Sequence, residues 1–348
     1  METVSTGRVR AHRTASVRTA SRGRLVRQPL VRALPGEGAS LPDEIDNYKK
    51  PLCPLSVPEH ESRYQSVDDF ETRFLEFQEI FATPQSLHSR GHLFVVTGDR
   101  GYGKTSLRQR CAFWTYGKYN QPDCEIAVVD LSDENWEPDT IDQQILSVRR
   151  WILSSLDDGR LDHDDLARIG TNSDIAGSFN ELGIKLRTRG IAKGSPLPIV
   201  LLVLLPGYPS EEELKRYYSF AREGMIFMAE IFHPGAIQDI TGKIKSRQDP
   251  FTRTAIDAHV LRLGTLKVGD DDRLMTWLQA DLQNCPALTN GEVREKTNKL
   301  IQANKVSTSQ FIKLLIGALK LAMEEQAVEV TNDHIYRFYE TQLYSPAD

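Results

Sequence analysis

Apolar positions along the chain change period from region to region, and those changes divide it into elements. Phe70, Phe74, Phe77, Ile80 and Phe81 recur three and four residues apart, which puts one face of a helix inward. Ser66 is expected to cap that helix, Asp68 and Asp69 to favour its positive end, and Pro84 to lie beyond its close. Short β-rich runs then alternate with helical stretches. The runs are 92–97 (HLFVVT), 126–131 (IAVVDL), 199–205, 225–232 (MIFMAEIF) and 259–263. Helical patterns fill 140–156, 175–187 and 211–221 between them. Strands alternating with helices predict a mostly parallel sheet covered on both faces. After Asp270 the strand signal stops, and 271–282, 292–303, 307–325 and 332–344 all read as helices. No internal repeat is present.

The expected organisation is therefore a tail over 1–40, an extended lead-in over 41–64, an α/β core over 65–268 and an all-α unit over 269–348. The net charge of −5 hides an asymmetry. Residues 1–40 hold eight arginines against Glu2 and Glu37, or +6, so the remainder carries about −11. An acidic body does not suit a surface dedicated to wrapping DNA. The tail is too poor in large apolar residues to offset its own ordering entropy. Three readings of it stand side by side: a solvated tail or start-site artefact, an organelle transit peptide, and an arm for nucleic acid or an acidic partner. Four cysteines without short paired spacing suit a reducing, cytoplasmic compartment. No apolar run approaches the roughly 20 residues that a bilayer span needs, so no membrane association is expected.

One segment carries specific chemistry. Residues 98–105 read GDRGYGKT, between a predicted strand and a predicted helix, which is the setting a phosphate-binding P-loop requires. Gly98, Gly101 and Gly103 let the backbone turn and come close to a phosphate. The amides of Asp99, Arg100, Tyr102 and Ser106 complete the cradle at the positive end of the following helix. Lys104 is expected on the β and γ phosphates and Thr105 on Mg2+, which makes ATP with Mg2+ the expected ligand.

A hydrolase of this type ends its third strand with acids for the metal and the water. Here 199–205 runs into Pro206, Gly207 and Tyr208 instead. Two substitutes are available. Glu230 would reach the γ-phosphate region if the fourth strand lies beside the P-loop strand, and Asp130 or Asp133 would act on the metal through water. Each also has a purely structural reading, as a paired buried acid or a loop-starting acid.

Three stretches resemble the AAA+ ATPases, and within them the origin-recognition-like and STAND-type ATPases: GDRGYGKTSL at 98–107, IAVVDLSDEN at 126–135 and AMEEQAVEVTNDHI at 322–335. The resemblance covers about 65–345 and implies a P-loop NTPase sheet sandwiched by helices, followed by a helical lid. It implies that Glu230, ending the fourth strand, senses the γ-phosphate. It also implies that an arginine before the fifth strand, Arg253 ahead of Arg247, reaches a neighbouring subunit's nucleotide. The lid arginine of those families has no counterpart, since Ser309 and Gln310 stand in its place. The expected partners are further copies of the chain or another protein, with nucleic acid reached through the tail. Function divides three ways: an ATPase driving lid movement and assembly, a non-hydrolysing nucleotide-gated switch or scaffold in a regulatory or defence complex, and a nucleic-acid-associated ATPase.

Four further features read as structural. Trp114 and Trp151 fit core or lid packing, Asp270 to Asp272 and Glu211 to Glu213 fit the first turns of helices, and the eight histidines show no ligand spacing.

Overall fold

The computed structural model describes residues 45–121, 124–132, 140–192, 198–232, 256–282, 285–288, 291–303 and 305–344. The lead-in is not extended throughout: it forms two 3-10 turns, Asn47–Lys49 and Pro58–Arg63. Helices α1 (Phe70–Ile80) and α2 (Pro84–His88) come next, followed by strand β1 (Gly91–Thr97) and helix α3 (Lys104–Tyr119). Strand β2 (Glu125–Asp130) leads into α4 (Ile141–Leu156), α5 (His163–Thr171) and α6 (Ile175–Ala192). Then come β3 (Ile199–Leu204), α7 (Glu211–Phe220), β4 (Met225–Ile231) and β5 (Ile256–Arg262). Four helices close the chain: α8 (Asp270–Asp281), α9 (Gly291–Ala303), α10 (Thr308–Glu324) and α11 (Asn332–Tyr344).

The five strands form one parallel sheet in the order β2-β3-β4-β1-β5. Each central strand is buried at every position because each face of the sheet has its own core. Along β1, Leu93 and Val95 enter one cluster, whereas Phe94 and Val96 enter the other. The first cluster packs under α4, α6 and α7, and the second under α1 and α3. The aromatic repeat of α1 buries Phe70, Phe74 and Phe77 in the second. Trp114 joins it, edge-on to Phe74 and Phe77. Trp151 does not follow its expected role and is 39% exposed.

Local polar chemistry fixes four helix starts, those of α4, α5, α7 and α10. Ser210 and Glu213 form a capping box at α7, as do Thr140 and Gln143 at α4, each worth about 1 kcal/mol. Both acid triplets occupy first helical turns as expected. The start of α1 differs. Ser66 does not cap it; Asp69 holds the cap position without a side-chain bond, and Asp68 sits at φ 55°. Asp68 turns there because its Oδ1 accepts the Gly264 amide at 3.0 Å and its own amide donates to Asp270 Oδ2 at 2.8 Å. Long-range contacts override local capping at this joint.

The last four helices enclose a third core around Leu278, Phe311, Leu315 and Leu319. Ile45 of the lead-in and Val67, just beyond it, are buried in it as well. Lys320 holds Asp46 at 2.7 Å, and the Tyr48 hydroxyl donates to Asp281 at 2.6 Å. The lead-in is thereby tied to the helical unit. Among the described residues, no helix is long and apolar enough to cross a membrane.

Candidate nucleotide-binding site

Strand β1 delivers the chain into a glycine-rich turn whose geometry only part of the sequence could adopt. Gly101 and Gly103 sit at φ 88° and 83°, in the left-handed region that disfavours a Cβ. Gly103 is the residue from which α3 starts, so the free amides of the first turn open on the loop. The Tyr102 ring turns inward to the second core, leaving Asp99 and Arg100 exposed on the rim.

Lys104 is 5% exposed, and its Nζ donates to the carbonyls of Gly98 and Asp99, both at 2.8 Å. Burial pulls its pKa below the usual lysine value, against the opposing pull of Glu230 and Asp99. Nζ also lies 4.7 Å over the Phe232 ring.

Beside it, Thr105 Oγ1 donates to Glu230, at 2.9 Å to Oε2 and 3.2 Å to Oε1. The sheet makes this contact. Strand β4 pairs directly with β1, and Glu230 is in register with Val96, two residues before the P-loop. Glu230 is itself 5% exposed. Arg108, one turn beyond Thr105 on α3, is fully buried. Its Nη1 donates to the carbonyls of Leu205 at 2.7 Å and Met228 at 3.3 Å, and its Nη2 stands 3.9 Å from Glu230. Helical spacing made Arg108 readable as an inward residue, but not what it would face.

The end of β3 carries an aromatic pair where acids are normally found. Tyr208, at φ 56°, stacks on Phe232 with ring centroids 3.7 Å apart, and Phe232 in turn lies under Lys104. Neither ring was singled out in the sequence, because they meet only through the β3–β4 adjacency. Asp130, at the outer strand β2, is held by Gln109 at 2.6 Å and by Ser132, so it does not join the phosphate end. Asp133, Arg247 and Arg253 lie outside the described residues.

Ser106 anchors the lead-in: its hydroxyl accepts the Leu52 amide at 3.0 Å, and the Tyr64 hydroxyl donates to its carbonyl at 2.9 Å. The cleft so framed has two ends. Gly101 to Thr105 line the polar end, and Tyr48, Leu52, Leu274, Trp277 and Ile312 line the apolar one. Helix α10 closes the side, where the Ser309 amide donates to the Gly101 carbonyl at 2.9 Å. A cleft with fixed N–H donors at one end and flat apolar surfaces at the other suits a nucleotide. Thr105 and Glu230 are both hard oxygen donors, the type Mg2+ takes.

No family profile and no curated protein sequence matches the chain. Among solved structures it is similar to the ORC1 protein of Aeropyrum pernix in complex with DNA, at 12% identity and TM-score 0.50. That likeness covers 82% of this chain and 68% of the other. The Drosophila ORC bound to DNA gives 12% identity and TM-score 0.45 over 82% of this chain and 65% of that one. Domain III of the Thermotoga maritima replication initiation protein DnaA gives 12% and 0.43 over 82% and 96%. The chain thus spans about two thirds of the two origin-recognition chains. A parallel sheet of order β2-β3-β4-β1-β5, a P-loop after β1 and a closing set of helices give this chain the origin-recognition-like AAA+ ATPase fold.

Proposed function

We propose that the chain binds ATP with Mg2+ and that nucleotide state sets the position of its helical lid, residues 269–348, on the core, residues 65–268. The observation that carries this is the convergence of Lys104, Thr105 and Glu230 at one end of a cleft whose wall is bonded to the P-loop itself. Lys104 exchanges two loop carbonyls for phosphate oxygens. The amides from Asp99 to Ser106 donate to the anion, Thr105 offers oxygen to the metal, and Glu230 holds Thr105 in place. Mg2+, when bound, screens the phosphate charge that these residues gather. Trp277 and Tyr48, edge to face at 5.6 Å, present flat surfaces for the base. Since Tyr48 belongs to the lead-in and Trp277 to α8, one ligand would touch the core, the lead-in and the lid together. Lid position would then be read by another copy of the chain or by a protein partner. An arginine such as Arg253 from a neighbouring copy is the group that would complete a hydrolytic site.

A non-hydrolysing switch is the second reading, favoured by the Tyr208–Phe232 pair at the end of β3. The A. pernix protein was solved with DNA; DNA contact by this chain, through the arginines of 1–40, is a third.

Thermal shift with Mg–ATP tests the first claim. At a hundredfold excess over Kd, binding should stabilise the protein by about 2.7 kcal/mol, and Lys104→Ala should remove the effect. Equal shifts in both proteins would exclude the P-loop as the site. Phosphate release followed across protein concentration separates the readings: turnover rising with assembly indicates an arginine supplied in trans, whereas tight binding without turnover indicates the switch.

A further inference from the structure

Three ligand-type side chains meet at the end of the sheet away from the P-loop. Strands β1 and β5 are parallel neighbours, with His92 opposite Asp257 and Phe94 opposite His259. Residues two apart on a strand share a face, so His92, Asp257 and His259 all project to the same side. Among the described residues they form the one group of three or more His, Cys, Asp or Glu side chains close enough for a metal, with one donor atom of each within 4.8 Å of the others. His92 lies five residues before Thr97, or about 16 Å along the strand from the phosphate loop. The 167-residue separation of the two histidines hides the group from any reading of spacing.

The geometry is that of ligands. His92 Nδ1 and His259 Nε2 are 3.3 Å apart. Two nitrogens bound tetrahedrally to zinc at about 2.0–2.1 Å are separated by about 3.3 Å. The tautomer of His92 is fixed from its other side. Its Nε2 lies 3.2 Å from the Ser86 carbonyl, which can only accept, so the ring proton is on Nε2 and the Nδ1 lone pair faces His259. An imidazole whose second nitrogen donates to a backbone carbonyl is the usual support for a metal ligand. The rings are held by aromatic walls: Phe94 stacks on His259 at 4.5 Å, and Phe81 meets His92 edge-on at 4.9 Å. Asp257 supplies the third donor and is oriented by Arg90 Nη1, 3.0 Å from both oxygens. His92 is buried, whereas Asp257 and His259 are half-buried, so a fourth position opens to water.

We propose that His92, His259 and Asp257 bind a transition-metal dication of the zinc type, which fastens edge strand β5 to β1. Two imidazoles and one carboxylate select zinc or cobalt over magnesium and calcium. The site is independent of the nucleotide cleft.

Titration of the full chain with Zn2+ in excess Mg2+, by calorimetry, is expected to saturate at one equivalent. Co2+ should give the intense visible absorption of a tetrahedral site. His259→Gln, a change at a half-buried position, should abolish saturable binding of both ions while leaving the circular dichroism unchanged. Lys104→Ala and Cys124→Ser should bind as the parent does; the second controls for the thiol beside His88. No uptake of either ion, undiminished binding by folded His259→Gln, or loss of binding in Cys124→Ser overturns the assignment. Nucleotide binding can fail without affecting any of these outcomes.

Discussion

Thr105 on α3 donates its hydroxyl to Glu230 on β4 at 2.9 Å, so the P-loop residue expected to meet the metal is already paired with a carboxylate from the adjacent strand. That acid reaches Thr105 only because β4 lies between β3 and β1. Glu230 also stands 3.9 Å from Arg108, which is buried with Nε and Nη2 making no hydrogen bond among the described residues. Glu230→Ala therefore leaves a buried guanidinium without its counter-charge and should destabilise the protein by about 3 kcal/mol in urea unfolding. Glu230→Gln keeps an acceptor for Thr105 but removes the charge. It should lower nucleotide affinity about tenfold in Mg2+, a 1.4 kcal/mol effect, and leave binding in EDTA nearly unchanged. Equal losses with and without Mg2+ would separate Glu230 from the metal.

The contrast between those two residues shows what the sequence made legible. GDRGYGKT announced its own chemistry because a P-loop is local: strand, turn and helix start are consecutive, and each residue acts through its own backbone position. The strands were legible for a related reason, since each holds a short β-rich run, and β3 (IVLLVL), buried at every position, is apolar throughout. Glu230 was conditional on strand order, which periodicity does not encode. The Tyr208–Phe232 stack and the His92–His259 contact were invisible because each joins residues brought together only by the pairing of two strands. Helix α5 was passed over; at nine residues it gives little periodic signal, although Asp162 caps it. The cap of α1 was misassigned because Asp68 answers to Gly264 and Asp270 rather than to its neighbours.

Asp68 makes that joint sensitive to pH. Desolvation raises its carboxyl to about 6, against opposing help from the Asp69 and Gly264 amides. The folded state therefore holds its proton more tightly than the unfolded chain, where a carboxyl titrates near 4. This stabilising contribution is complete below about pH 4 and is lost as pH rises through about 6. Allowing for solvent screening of a partly exposed group, the loss should be about 1 kcal/mol. Asp68→Asn keeps an acceptor, suits φ 55°, and should flatten the stability profile between pH 4 and 6. A profile that retains its slope in Asp68→Asn would assign it to another group.

Packing inside the helical unit depends on one missing side chain. A Cβ on Gly317 of α10 would overlap three atoms of the Phe338 ring of α11. Alanine would gain about 1 kcal/mol of helix propensity there, but interiors are close-packed and neither helix can yield alone. The overpacking should dominate, for a net loss of about 2 kcal/mol and a lower Tm. Gly117, whose Cβ would meet nothing within 4 Å, is the control: Gly117→Ala should be neutral or stabilising.

Gly101 joins the two halves of the proposed switch, and its substitution is the sharpest test of coupling. Its carbonyl accepts the Ser309 amide, and a Cβ on it would come within 2.7 Å of Ser307 Oγ and 2.9 Å of Ser309 Cβ. Alanine would also have to hold φ 88°, at a cost of about 1–2 kcal/mol. The steric penalty is relieved when α10 withdraws, since those contacts are made by its N-cap and first turn. Gly101→Ala should therefore disfavour the closed arrangement by at least about tenfold while leaving Lys104 and Thr105 able to hold phosphate. Trp277, on the lid side of the cleft, reports the difference. Nucleotide should still bind the variant, more weakly, but its effect on Trp277 fluorescence should shrink. If the fluorescence change survives intact in Gly101→Ala, lid position does not depend on the P-loop contact, and the coupling must run through the lead-in at Tyr48 and Leu52.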